Sequence, residues 1–301
     1  MRAFPSLLLT GLLSLWLVSL CLVSLCLGAG PAMSQALPEP VVNAPAQATE
    51  VAGAEMANAP SHPASRGSCS APRDLVFFRS SLPGLNRAVA KSRDIDIIAL
   101  GSSSTAGSGS SSPLLAYPAR LNVELDRRFP GKVFHVDNQG AGGQTARDML
   151  ERIHRYIAGL RRAPTMVIWQ TGVNDAMQDV GLAEFSSVLE RGILDLRGAG
   201  IDVVLVDMQY FPRSERVAVY GDYLRAMRQV AEQHKVPLFQ RFSIMKHLVK
   251  SGQHTTEELL APDNFHLNDL SYGCLADLMA DAIEDQIKSS RMTASRLQPA
   301  R

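Results

Sequence analysis

Five short apolar runs, separated by stretches of helical spacing, constrain this chain more than any other feature. The runs are IDIIAL (95–100), KVFHVDN (132–138), TMVIWQTG (165–172), DVVLVDMQ (202–209) and a weaker VPLFQRF (236–242). Helical periodicity marks 113–129, 145–160, 182–199, 215–235 and 271–287. Strands apolar on both faces, alternating with helices, predict a parallel sheet covered on both sides. Right-handed crossovers then give an α/β fold: a three-layer α/β/α, doubly wound sheet of about five strands with flavodoxin-like topology. Ligands of such sheets bind beyond the carboxyl ends of the strands, so the residues that follow each run are where chemistry is expected.

The alternation begins only near residue 95, and the segment before it has a different character. Residues 7–27 carry no charge, Arg2 precedes them, and AGPAMSQA follows. A basic start, an apolar stretch and a small-residue exit predict a signal peptide over 1–34, cut after Ser34. The alternative is an N-terminal membrane anchor, since 21 apolar residues can span a bilayer. In both cases Arg2 stays on the cytoplasmic side and the body is exported, to the periplasm or the exterior. Leu rather than a small residue precedes both Cys21 and Cys26, which argues against a lipid-anchored cysteine. Residues 35–68, rich in Ala, Pro, Ser and Asn, read as a disordered linker. This leaves 69–288 as one folded domain and 289–301 as a flexible tail. Lys+Arg 30 against Asp+Glu 29 gives a net charge of +1, which excludes a nucleic-acid reader dependent on a concentrated basic surface.

Four small-polar loops stand at the expected strand ends. Gly101-Ser102-Ser103-Ser104-Thr105-Ala106-Gly107 follows the first strand, and Asn138-Gln139-Gly140-Ala141-Gly142-Gly143 closes the second. Gly172-Val173-Asn174-Asp175 follows the third, and Asp263-Asn264-Phe265-His266 lies past the fifth. Together they hold the parts of a hydrolytic site: a serine, an imidazole with a carboxylate three residues before it, a side-chain amide and glycine N–H groups. A serine hydroxyl needs a base within hydrogen-bond reach, and neutral His266 can serve. Asp263 can hold the other ring N–H and stabilise the imidazolium.

These residues resemble the SGNH hydrolases, the GDSL-like esterase/lipase family, across about 95–285. The resemblance implies Ser103 as nucleophile with Asp263 and His266 completing a triad. It further implies an oxyanion hole from the Ser103 and Gly143 backbones and the Asn174 amide. The G-x-N-D block (Gly172–Asp175) and the D-x-x-H block (Asp263–His266) are matched without change, whereas the Asp of the family's G-D-S block is Ser102 here. Ser102 and Ser104 are the alternative registers for the nucleophile. Ser102, Asp175, Asp207 and Gln209 are candidates to line the site, Asp175 also to brace a loop. Trp169 reads as core. The segment 107–112, GSGSSS, reads as a flexible rim loop.

The expected function is an exported serine esterase cutting small-acyl esters, with an O-acetyl group on an envelope or extracellular polysaccharide as first candidate. Carbohydrate O-acyl transfer and non-catalytic polymer binding are the alternatives. No cofactor is implied. A metal site is not expected, because there is no H-E-x-x-H and no clustered histidines or paired cysteines. Residues 101–107 also fit a flavodoxin-like FMN phosphate loop, but no aromatic pair is placed to sandwich a flavin. Gly140–Gly143 lacks the G-x-G-x-x-G spacing of a dinucleotide site. Cys69 and Cys274 are either a disulfide, favoured in an oxidising compartment, or two buried thiols.

Overall fold

The computed structural model describes residues 69–159 and 163–296. The expected signal or anchor and the linker lie outside them. A five-stranded, all-parallel sheet runs in the order β2-β1-β3-β4-β5. Its strands are β1 (Asp94–Gly101), β2 (Val133–Gly140), β3 (Met166–Gln170), β4 (Asp202–Val206) and β5 (Leu238–Phe239). This is the doubly wound topology expected, with the order reversing between β1 and β3.

Burial along the strands follows their position. Every residue of β3 is buried, as are four of the five in β4, because helices cover both faces. Edge strand β2 buries only Phe134. The fifth strand is much shorter than the expected 236–242, because the chain turns at Gln240 into a helix that begins at Arg241.

Eleven α-helices are described. Before the sheet come α1 (Arg73–Val76) and α2 (Pro83–Lys91), followed by α3 (Ser103–Ala106), α4 (Tyr117–Arg128) and α5 (Ala146–Ala158). Next are α6 (Val173–Met177), α7 (Leu182–Gly198) and α8 (Ala218–His234). The last are α9 (Arg241–Lys250), α10 (Thr256–Leu259) and α11 (Asp269–Arg296). Helices α5, α7 and α8 pack side by side in one group, while α4, α11 and α2 form another. Helix α5 starts where Thr145 and Asp148 close a capping box, and it buries Ala146, Met149 and Ile153 along one stripe. Trp169 is fully buried in β3, its indole N–H donating to Met149 Sδ at 3.1 Å, so it is core. Helix α11 continues past 288 as far as Arg296. The 289–301 segment was expected to be a flexible tail; its first part continues this helix. No helix among the described residues is long and apolar enough to cross a membrane.

Cys69 and Cys274 form a disulfide, with their Cα atoms 5.5 Å apart and a sequence separation of 205. It ties the first described residues to α11. Closing so long a loop limits the unfolded chain far more than it alters the folded one. Replacing the bridge with Cys274→Ser should therefore lower stability by about 2–5 kcal/mol in a urea titration, and an unchanged midpoint would show that the bridge constrains nothing.

Candidate active site

Strand β1 ends at Gly101, and α3 starts two residues later, so Ser103 stands at the first position of a one-turn helix. Its N–H has no carbonyl one turn back to bond and is available to a ligand. The turn is close to β2: a Cβ on Gly140 would fall 2.0 Å from Ala106 N, so only glycine fits where α3 crosses that strand.

Ser103 Oγ lies 2.8 Å from His266 Nε2, and His266 Nδ1 lies 2.6 Å from Asp263 Oδ2. The other carboxylate oxygen, Asp263 Oδ1, accepts the backbone N–H groups of Phe265 (3.0 Å) and His266 (2.9 Å). Burial pushes the Asp263 carboxyl up, but bonds from the His266 ring and these two N–H groups outweigh it and hold it below the ordinary carboxylate range. It therefore stays charged where a base on the ring is needed. Of the three serines, Ser102 and Ser104 are both buried, and Ser103 is the one that meets the imidazole.

The second loop carries Gly143, whose φ of +76° requires glycine-like freedom and whose missing Cβ would face open space. Helix α6 holds this loop in place. Asn174 Nδ2 donates to Gln144 O at 2.7 Å, leaving its second amide hydrogen free to point elsewhere, and Gln178 Nε2 donates to Gly143 O at 3.2 Å. Asp175 does not line the site. It is buried and accepts Ala146 N on both oxygens (3.0 and 3.1 Å), bracing the start of α5. Burial raises its carboxyl, against the pull of those N–H bonds.

Ser102 and Gln209 also turn inward. Ser102 Oγ and N both donate to Gln170 Oε1 at 3.1 Å, and Thr105 Oγ1 does so at the same distance. Gln170, fully buried at the end of β3, thus takes up the hydroxyls of a loop that would otherwise resemble a phosphate cradle. That arrangement removes the basis of the FMN reading. Gln209 Oε1 accepts from the buried Arg241 Nη2 at 3.1 Å. Asp207 is likewise buried beneath the strand ends and accepts Phe242 N at 2.9 Å. Burial pushes its carboxyl up to about 7, opposed by the Phe242 N–H and by Arg241. The rim segment 107–112 is held in place rather than loose. Tyr272 donates to Ser108 O at 2.7 Å, and Ser111 binds Asp269 through its N–H (2.9 Å) and hydroxyl (2.6 Å).

Residues 68–289 match the model of the Non-GDSL lipase-like family. The chain belongs to this family. The family match agrees with the SGNH resemblance read from the four loops. No curated protein shows significant sequence similarity. Among solved structures, the chain is similar to a two-domain esterase active on acetylated mannans, at TM-score 0.57 and 22% identity over 71% of this chain. The match spans 56% of that protein's length. TesA matches at TM-score 0.54 and 21% identity, over 64% of this chain and 99% of its own. An acetyl-xylooligosaccharide esterase from Geobacillus Stearmophilus matches at TM-score 0.53 and 20% identity, over 63% and 94%. At such identities these likenesses establish the fold.

Gln170 is the residue that sequence reasoning missed, since a polar residue closing an apolar run reads as strand. Gln170→Leu should strand three buried donors, lowering stability and cutting kcat about 10- to 100-fold with a smaller change in KM; equal activity would deny it any positioning role. The raised Asp207 carboxyl has a sign that can be checked. The folded chain keeps a proton that the unfolded chain loses from about pH 4 upward, so stability should fall as pH rises from about 4 to about 7. In Asp207→Asn that part of the decline should vanish from urea midpoints measured across the range.

Proposed function

We propose that this chain is an exported esterase that removes small acyl groups through an acyl-enzyme on Ser103. The observation that carries the reading is the hydrogen-bonded line Ser103 Oγ–His266 Nε2 and His266 Nδ1–Asp263 Oδ2, at 2.8 and 2.6 Å. In the proposed reaction His266 takes the hydroxyl proton as Ser103 attacks the ester carbonyl, then returns it to the leaving alcohol. Asp263 orients the ring and offsets the charge it gains. The Ser103 and Gly143 N–H groups and the free Asn174 amide hydrogen serve as donors to the developing oxyanion, each typically contributing about 3–4 kcal/mol. Water then resolves the acyl-enzyme by the same proton relay in reverse.

The proposed substrate is an O-acetyl group on a polysaccharide. Two features support it. The His266 side chain is 21% and the Asp263 side chain 49% exposed, so the nucleophile lies in a shallow setting that a polymer-borne acyl group can reach. The fold is also that of proteins described as active on acetylated mannans and acetyl-xylooligosaccharides. Export is supported by the charge-free 7–27 stretch and by the disulfide, since such bonds persist in oxidising compartments.

The test is steady-state turnover of p-nitrophenyl acetate. Ser103→Ala and His266→Ala should each lower kcat by about 10³-fold or more, and the double variant should lose little beyond either single one, because the residues act as a unit. Full activity in Ser103→Ala, or an inactive wild type across a range of acyl lengths, would refute the mechanism.

A further inference from the structure

Away from the candidate active site, two sulfurs and an imidazole meet where the described chain begins. Ligand atoms of Cys69, His254 and Cys274 all lie within 4.8 Å of one another. The His254 ring has a definite orientation within this group. Its Nε2 is 3.8 Å from Cys69 Sγ, and its Nδ1 is 3.7 Å from Glu258 Oε2. Glu258 is itself held by the capping box of α10, where Oε2 accepts Thr255 N at 2.9 Å. One ring nitrogen thus faces thiol chemistry and the other a fixed carboxylate. Histidines that ligate metals are commonly braced in this way.

The assembly does not depend on the S–S bond alone. Gln253, the neighbour of His254, bonds the backbone of Ser70 twice: its Oε1 accepts Ser70 N and its Nε2 donates to Ser70 O, both at 2.8 Å. Ser70 follows Cys69 directly, so Cys69 stays against His254 even when the bridge is open. Cys274 is fixed on α11. A surface hollow lined by Val249, Gln253, His254 and Thr255 gives an entry path from solvent.

We propose that the reduced chain binds one soft divalent cation, zinc by its ligand chemistry, through Cys69 Sγ, Cys274 Sγ and His254 Nε2. Two thiolates and an imidazole select zinc over hard cations, and water fills the fourth tetrahedral position. The Glu258 carboxylate, 3.7 Å from Nδ1, favours the ring form with its proton there and so leaves Nε2 to ligate. A phosphine or dithiol first supplies two electrons and breaks the S–S bond: with the phosphine, water gives the oxygen of the phosphine oxide and a proton to each sulfur, and the dithiol gives its own two protons and becomes a disulfide. Cation binding then releases both thiol protons to solvent as the thiolates ligate. Bridge and cation exclude each other, because ligating sulfurs must separate beyond bonding distance. The site therefore reports the redox state in which the chain is held.

The test uses the full chain with Cys21→Ser and Cys26→Ser, leaving Cys69 and Cys274 as the remaining cysteines. The protein is reduced with a phosphine, freed of excess reductant under nitrogen and titrated with Co²⁺ as a coloured stand-in for zinc. One equivalent should bind with the visible bands of tetrahedral, thiolate-ligated Co²⁺, and Zn²⁺ should bleach them. The oxidised chain should show none. His254→Ala should weaken binding more than tenfold, and Glu258→Gln, which leaves both cysteines intact, about 10-fold or more. Absence of saturable bands in the reduced parent, or an unchanged affinity in His254→Ala, would overturn the proposal.

Discussion

The contact between Ser103 Oγ and His266 Nε2 joins residues 163 apart in sequence, and two independent frameworks must agree to keep it at hydrogen-bond length. On the serine side the framework is the sheet. Strand β1 delivers Ser103 to the carboxyl edge, and Gln170 on neighbouring β3 holds Ser102 and Thr105 on either side of it. On the histidine side the framework is a looped segment before α11. Ala261 N donates to His266 O at 2.8 Å, and Leu260 and Leu267 form an antiparallel bridge. Asn268 Nδ2 donates to Leu260 O at 3.2 Å and to Glu258 O at 2.8 Å. The two frameworks are joined where Ser108 and Ser111 bond Tyr272 and Asp269 of α11. A loop rich in Gly and Ser thus acts as a strap.

Those joins explain what the sequence could and could not reveal. Strands β1, β3 and β4 were legible because burial on both faces leaves an unbroken apolar run, and the five long helices after β1 because an amphipathic stripe repeats over several turns. Helices α3, α6 and α10 are about one turn long, too short to show a period. Helix α2 carries a weaker signal, Pro83 at its first position with Leu85 and Val89 buried, over only nine residues. Strand β5 is shorter than its apolar-looking run, because Arg241 turns into the core as the first residue of α9.

The candidate site divides along the same line. Ser103, Asn174, Asp263 and His266 sit in local patterns whose spacing is itself the signal. Gln170 does not, since its partners are 65 and 68 residues away. Asp207 and Gln209 show the opposite error. Polar residues at a strand end suggest a ligand site, yet here Gln209 meets a buried guanidinium and Asp207 accepts the backbone N–H of Phe242. Arg241 Nη2 bonds Gln209, while its Nε and Nη1 find no partner among the described residues. Asp175 combines both lessons, because it belongs to a recognisable block but serves the start of α5.

Ser102, standing where the G-D-S block has aspartate, has a physical counterpart in the structure. A neutral hydroxyl at this position suits a neutral amide acceptor in a fully buried setting, where an unpaired carboxylate would be costly. The loop that carries Ser103 is thereby fixed by Gln170 without a buried charge beside it. The central claim, that this fixed hydroxyl is the one activated by His266, can be tested chemically. Treatment with a fluorophosphonate followed by peptide mass spectrometry should find a single adduct, on Ser103, that disappears in His266→Ala. An adduct on Ser102 or Ser104, or labelling that persists undiminished without His266, would contradict the account.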